Sequence, residues 1–170
     1  METPVKPMEQ RLAWLGGILD GEGCISAAVI TRPRVKGKQR NTLTPVVHIG
    51  NTEVRIINEC AAIADALGLH YFLHKRKHQS QRLPFWQIIF AKGPRVEALL
   101  VTIIPYLVGK RDQAELLLRL VRHRRGMGRN SGQDAIGRLL GPVPVMQDAE
   151  ALVMVQNLKD LKRFQVMTEN

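Results

Sequence analysis

The sequence has little cysteine, no long hydrophobic run and few acidic residues, and each shortage excludes a class of protein. Only 2 of the 170 residues are cysteines, too few for a disulfide framework or a cysteine zinc site, which favours an intracellular, reducing setting. The cytoplasm of a prokaryote and an organelle are both compatible with it. No stretch approaches the roughly 18 apolar residues that cross a membrane, and residues 1–10 lack the hydrophobic region of a signal peptide. We expect one domain, residues 1–170, with a core of its own.

The shortage of acidic residues also has a pattern along the chain. There are 25 Lys and Arg against 15 Asp and Glu, which leaves a net charge of +10. Residues 23–52 and 66–96 contain no Asp or Glu. Clustered positive charge is the electrostatic footprint of nucleic-acid binding, so these two windows are the candidate contact surfaces.

Both windows are typical of paired β-strands. Residues 24–31 and 42–50 are rich in β-branched side chains, and Pro33 and Gly37 mark the link between them. Residues 71–78 and 85–91 form the second predicted pair. A two-stranded ribbon fits the DNA major groove, where basic residues meet phosphates and guanine edges. Most runs of charge are merely solvated, but here both windows coincide with predicted hairpins, which favours binding.

Several polar and basic residues of these ribbons are candidate contacts to double-stranded DNA. Basic residues recur at every second position across the first link, which places them on one face of an extended ribbon. His70, His74 and His78 would suggest a metal site on a helix, but in a strand they only share a face, and no cysteine lies nearby to complete a zinc site. The DNA-binding candidates are Arg32, Arg34, Lys36, Lys38, Arg40, Thr42, Thr44, His48, His74, Lys75, Arg76, Lys77, Arg82 and Gln87.

The most informative stretch is residues 15–23, Leu-Gly-Gly-Ile-Leu-Asp-Gly-Glu-Gly. On a helix its leucines and isoleucine form a core face, and Ala13, Gly17 and Gly21 lie at i, i+4 and i+8 on the opposite side. A glycine inside a helix costs about 1 kcal/mol relative to alanine, which indicates close approach of another backbone. Asp20 and Glu22 lie at the C-terminal end, where the helix dipole disfavours negative charge. Carboxylates in that position favour a bound cation.

This stretch resembles the signature of the LAGLIDADG homing endonucleases. Four of its nine positions are identical, Leu15, Gly17, Asp20 and Gly23, and Ile18 and Leu19 match in kind. Gly16 and Gly21 replace alanines, and Glu22 replaces an aspartate. The alternative is an ordinary amphipathic helix followed by a turn. In the family, two such helices pack through their small residues, and the second acidic residue of each holds a divalent metal over DNA.

The resemblance implies a set of site residues. Mg²⁺ (or Mn²⁺) would be bound by Glu22 and the backbone carbonyl of Gly21, with no small-molecule cofactor. Asn51 and Arg55 match polar and basic positions near the active-site water of the family. Lys110, which follows Pro105-Tyr106-Leu107, matches the family's active-site lysine. The alternative for Lys110 is a residue that merely flanks a surface helix and has no catalytic role. Asp20 would orient the junction between subunits. The implied catalytic residues are Glu22, Lys110, Asn51, Arg55 and Asp20, and the implied dimer interface is Ala13, Gly16, Gly17, Asp20 and Gly21.

The predicted elements agree with that family's α+β fold, an α-β-β-α-β-β-α core with a helical C-terminal tail and an antiparallel sheet that forms a DNA-binding saddle. Helices are predicted at residues 12–21, 53–67, 96–107 and 112–122, and in the tail at 133–140 and 147–164. The basic, glycine-containing segment 124–132 is predicted to be a loop, either a phosphate contact or a flexible linker.

The sequence therefore predicts an intron-homing DNA endonuclease that cuts both strands of a long, roughly palindromic target. Because the signature occurs once, a two-fold homodimer follows. An RNA maturase or a catalytically inactive DNA-binding regulator on the same fold are alternatives, whereas the charge argues against a domain that binds no nucleic acid.

Overall fold

The computed structural model describes residues 6–33, 39–76, 84–129 and 147–168. The elements follow one another as α1 (Met8–Glu22), β1 (Gly23–Pro33), β2 (Gln39–Asn51), α2 (Val54–Ala66), β3 (Phe72–Arg76), β4 (Phe85–Ala91), α3 (Gly93–Ile103), a 3₁₀ turn (Ile104–Tyr106), α4 (Arg111–Arg129) and α5 (Ala149–Thr168). This order confirms the predicted α-β-β-α-β-β-α core with a helical tail. Within the described ranges, no helix is long and apolar enough to cross a membrane.

The four strands form one antiparallel sheet in the order β1-β2-β4-β3. Ile25 lies opposite Val47, and His48 lies opposite Ile89. Strand β4 pairs with β2, which leaves β3 at the edge with every residue exposed. Since side chains alternate across a strand, this register fixes which residues share each face.

One face of the sheet is buried and the other is open. Ile25, Val47, Ile49, Ile88 and Phe90 are at most 2% exposed and belong to the same core as the leucines of α1 and the buried positions of α2 and α3. We call the opposite side the open face, an open saddle-like surface. Its half-buried or exposed residues on the two long strands are Cys24, Ser26, Ala28 and Ile30 of β1 and Thr42, Thr44, Val46 and His48 of β2.

Local chemistry sets the helix ends. The Glu53 carboxylate caps α2 by accepting the Arg55 N–H at 3.1 Å, and Gly68, with φ of 65°, follows the helix in the left-handed region. Helix α3 begins at Gly93, three residues before the predicted start, because Pro94 suits the first turn. It ends at Ile103 because Pro105 has no N–H with which to continue the helical hydrogen bonds, and Ile104–Tyr106 of the predicted helix form a 3₁₀ turn.

The loop predicted from residue 124 is wrong for residues 124–129, which continue α4. Arg122 and Arg125 form ion pairs with Glu97 of α3 at 3.1 and 3.0 Å, and Arg124 donates to Asp148 at 2.7 Å. Basic side chains that the sequence offered as phosphate contacts or linker residues therefore bind carboxylates of neighbouring helices. Residues 130–132 and the helix predicted at 133–140 lie outside the described residues.

Candidate active site and nucleic-acid interface

The Asp20 carboxylate joins the end of α1 to the turn before α4. Its Oδ2 accepts the backbone N–H of Val108 at 2.7 Å and of Gly109 at 3.2 Å, and its Oδ1 accepts that of Lys110 at 2.8 Å. The Lys110 carbonyl accepts the Ala114 N–H at 3.0 Å and so opens α4. A carboxylate here satisfies amides that have no partner within the helix and complements the helix dipole. Asp20 therefore fixes the backbone at Lys110.

The Lys110 side chain returns to the same place. Its half-buried ammonium donates to the carbonyl oxygen of Leu19 at 3.1 Å and to that of Asp20. These carbonyls lie at the negative end of the α1 dipole. The structure thus brings the lysine that the sequence singled out to the acidic end of the signature helix.

The contacts that the structure records for the Asp20 carboxylate are with three amides of its own chain, so Asp20 is a positioning residue for Lys110. Its predicted place at a junction between subunits stays a prediction.

Glu22 and Gly21 are both exposed at the end of α1. A Cβ added at Gly21 would meet nothing within 4 Å, so the space around its backbone is open. A carboxylate and a carbonyl are the hard oxygen donors that Mg²⁺ prefers, so these residues fit the predicted ion. Among the described residues, no group of three or more His, Cys, Asp and Glu could hold a metal ion. The described residues of one chain therefore offer only part of a coordination shell.

Asn51 and Arg55 make local contacts at the start of α2. Asn51 Oδ1 accepts the Glu53 N–H at 2.8 Å, and Arg55 donates through Nε and Nη2 to the two oxygens of Glu53 at 3.0 and 2.9 Å. The hydrogen bonds from the Arg55 side chain hold the pKa of Glu53 at about 2, so this carboxylate stays ionised. The contacts that the structure records for Asn51 and Arg55 are thus with Glu53, and their predicted catalytic role stays a prediction.

The predicted DNA contacts divide by face. Thr42, Thr44 and His48 lie on the open face, and by register His74 and Arg76 of β3 lie on that side too. Burial, followed by the nearby charges of Lys162 and Arg76, lowers the pKa of His48, which therefore favours its neutral form.

One of the predicted contacts is corrected. The Lys75 ammonium lies 4.7 Å from the ring centroid of Trp86, its partner in register, so it stacks on the side opposite His74. That error arose because the sequence could not show which side of β3 the helices cover. Gln87 is the partner in register of Gly50 and His74 and so lies on the open face, where it is only 9% exposed, and its predicted contact with a base edge stays a prediction.

The remaining basic candidates lie at the ends of the hairpins. Arg32 and Arg40 are partners in register at the far end of β1 and β2. Arg34, Lys36, Lys38, Lys77 and Arg82 lie outside the described residues.

The small residues of α1 separate into two roles. A Cβ at Gly16 would lie 2.6 Å from the carbonyl oxygen of Tyr106, so Gly16 is buried within its own chain and its predicted place in a dimer interface is wrong. Ala13, Gly17 and Gly21 are exposed, and a Cβ at Gly17 would meet nothing within 4 Å. The close approach of the 3₁₀ turn explains why residue 16 is a glycine. Ala13, Gly17 and Gly21 form an exposed stripe of small residues along α1.

Sequence reasoning missed Lys162. This residue of α5 donates from Nζ to Cys24 Sγ at 2.9 Å, and Cys24 lies opposite His48 in the sheet. The contact joins residues that lie 138 positions apart in the sequence, and no motif marks Lys162. The only available signal was the amphipathic pattern of α5, which suggests that this helix packs on the rest of the chain.

No protein-family model and no curated protein matches this chain, but solved structures do. The homing endonuclease I-CvuI, in complex with an I-CreI target in the presence of Mg, aligns with a TM-score of 0.64 and 20% identity over 91% of this chain and 83% of that one. The archaeal intron-encoded homing endonuclease I-Vdi141I, complexed with DNA, gives 0.65 and 13% over 91% and 86%. The LAGLIDADG homing endonuclease I-SmaMI, bound to cleaved DNA, gives 0.59 and 14% over 94% and 45%.

The chain therefore has the LAGLIDADG homing endonuclease fold. The stretch at residues 15–23 predicted this fold, and the structure places that stretch at the end of α1, as the fold requires.

Proposed function

We propose that this protein is a site-specific endonuclease that hydrolyses phosphodiester bonds in both strands of a long, roughly palindromic DNA target with Mg²⁺ or Mn²⁺. The observation that carries the proposal is the ammonium of Lys110, which the carbonyls of Leu19 and Asp20 hold at the end of α1, where Glu22 is exposed. An acidic ligand and a fixed cation beside an open sheet suit an anionic phosphodiester substrate. The similar structures, whose proteins are described as DNA-bound homing endonucleases, support the same reading.

Glu22 and the carbonyl of Gly21 would hold the divalent ion, with water and phosphate oxygens completing its shell. When bound, the ion supplies Lewis-acid stabilisation of charge on the phosphate and the leaving oxygen. The Lys110 ammonium stabilises negative charge that develops on the phosphate oxygens, and because it is already positioned, little reorganisation is needed during the reaction. Asn51 and Arg55 would orient water at the edge of the site.

We propose that the active form is a homodimer. The stripe of Ala13, Gly17 and Gly21 allows close helix approach, and Val108, whose N–H is bound by Asp20, is 89% exposed at the same end of α1. Self-association would bury that apolar side chain and bring two copies of Glu22 together. A two-fold interface also explains why one signature suffices for two cuts.

The test is cleavage of a randomised duplex library with Mg²⁺, followed by sequencing of the cut ends. We expect the wild-type protein to produce one family of ends. Glu22→Gln keeps the shape of the side chain but loses the charge, so DNA binding should survive and cutting should stop. Lys110→Met should slow single-turnover cleavage far more than it weakens binding, since the ammonium acts mainly in the transition state. Lys159→Met, at an exposed position of α5, is the matched control and should cut normally.

Other results would replace the proposal. Specific binding by the wild-type protein without cutting in Mg²⁺ or Mn²⁺ would identify a DNA-binding regulator. Binding of structured intron RNA with support of splicing, and no cutting of DNA, would identify a maturase. Cutting by Glu22→Gln at the wild-type rate would remove Glu22 from the metal site.

A further inference from the structure

Among the residues that the structure describes, the centre of the open face carries no charged side chain. Three successive cross-strand rows occupy it: Ser26–Val46–Ala91, Ala28–Thr44 and Ile30–Thr42. Ala28 is exposed and Ile30 is 39% exposed, while the others are half-buried. In a protein of net charge +10, these rows therefore present methyl groups and hydroxyls, and neither amines nor guanidinium groups.

Positive charge lies on either side of these rows. Arg32 and Arg40 are partners in register beyond Ile30 and Thr42. On the other side, Lys162 lies against Cys24, and the exposed Arg76 acts electrostatically on His48. Basic residues, which can contact phosphate and so give affinity without reading sequence, therefore flank the rows along the strands. The rows themselves offer hydroxyls but no cationic group, so they cannot form the bidentate guanine contact that needs Arg or Lys.

The dimensions of the rows match a short stretch of major groove. Residues rise about 3.3 Å each along a strand, so Ser26 to Ile30 spans about 13 Å. That is the length of about four base pairs at 3.4 Å each. The row that includes Ala91 of β4 is about 10 Å wide and the two rows on β1 and β2 alone are about 5 Å wide, so all three fit in a groove about 12 Å wide.

We propose that the central rows of the open face select duplex DNA with thymine C5-methyl groups over about four consecutive base pairs of each half-site. This inference rests on the proposed function and specifies its substrate. The side chains of Ile30, Val46 and Ala28 pack on the thymine methyl groups, which only A·T pairs present in the major groove. The hydroxyls of Thr42 and Thr44 accept from or donate to the adjacent base edges.

The experiment first selects bound half-sites from a randomised duplex library, with Ca²⁺ in place of Mg²⁺. We expect A·T pairs to be enriched at about four adjacent positions. Each thymine in that block is then replaced by deoxyuridine, which removes one methyl group and nothing else. Affinity should fall about fourfold at each position, which corresponds to about 0.8 kcal/mol for one buried methyl group. Deoxyuridine outside the block should have no effect.

A double variant assigns the effect to these side chains. Ile30→Thr with Val46→Thr keeps β-branched side chains of similar size but replaces apolar surface with hydroxyls, so the deoxyuridine penalty should fall toward zero. Val101→Thr makes the same kind of change on α3 at a side chain that is 50% exposed, and it should keep the full penalty. If the double variant fails to fold, the deoxyuridine series on the wild-type protein still decides.

The outcomes separate this inference from the proposed function. Specific binding of a selected half-site with no thymine enrichment and no deoxyuridine penalty would overturn the inference and leave the endonuclease proposal intact. A wild-type protein that selects no DNA sequence at all would overturn both.

Discussion

Asp20→Asn is the sharpest perturbation of the candidate site, because it changes one charge and no shape. Asp20 accepts three backbone N–H groups with two oxygens. An asparagine has one oxygen, and its NH₂ group turns a donor toward amides that are donors themselves, so at least one bond is lost. Hydrogen bonds to charged groups contribute about 1.5–3 kcal/mol each. Since these groups are exposed or part-buried, a total loss of about 2 kcal/mol is expected.

The assays separate stability from positioning. For a chain of this length, about 2 kcal/mol lowers Tm by roughly 4–8 °C. Lys110 then loses its fixed backbone, and a displacement of about 1 Å in an active site costs about 100-fold in rate. Single-turnover cleavage, measured well below Tm, should fall by that order while target affinity holds.

Asp65→Asn is the matched control, since its carboxylate accepts only an exposed bond from the Tyr71 hydroxyl, at 3.2 Å. That variant should keep the wild-type rate. If Asp20→Asn lowers Tm but cuts at the wild-type rate, Asp20 is a structural cap and Lys110 does not depend on it.

Three further predictions follow from the geometry. Gly17→Leu should dissociate the proposed dimer in sedimentation without unfolding the chain, whereas Gly16→Ala should lower the free energy of unfolding of the chain itself. If both variants changed dimerisation and unfolding to the same extent, the separate roles of the two glycines would be refuted. Burial alone would raise the pKa of Asp148, but hydrogen bonds from Arg124, the Ala151 N–H and His123 lower it to about 2, so its stabilising contribution is complete above about pH 4 and is lost as the pH falls toward 2. Asp148→Ala should cost about 2–3 kcal/mol at pH 7, because the charge-assisted hydrogen bonds from Arg124 and the Ala151 N–H are lost. It should also flatten that acid transition, and an unchanged transition would assign the transition to another group. Arg76→Ala should weaken DNA binding and reduce the slope of log affinity against log salt concentration by about 1. An unchanged slope would mean that Arg76 contacts no phosphate.

Much of the fold was accessible from the sequence because it depends on short-range patterns. Strand β4 begins and ends where it was predicted, at Phe85 and Ala91, and the predicted cores of β1 and β2 lie inside those strands. The start and end of a strand can be predicted from β-branched residues and from turn-forming Gly and Pro, which act within a few positions. The signature helix was predictable for the same reason.

The rest depends on long-range contacts. No local pattern shows that Gly16 is small because Tyr106 approaches it, or that the basic end of α4 is held in helix by Glu97 and Asp148. The orientation of Lys75 depends on which side of β3 the helices cover. At the candidate site, the residue types were predictable from the signature, but the contact through which Asp20 holds Lys110 required the folded chain.

The bond between Asp20 and the turn at residues 108–110 also has a consequence for the order of folding. It closes a loop of about 90 residues, and that loop contains all four strands of the sheet. A loop of this length has an entropy penalty of about 4–5 kcal/mol if it closes before its interior is structured, more than these exposed or part-buried hydrogen bonds return. Lys110 therefore reaches α1 late in folding, after the four strands between them have paired. The amide protons of Val108, Gly109 and Lys110 should report that final step in hydrogen exchange.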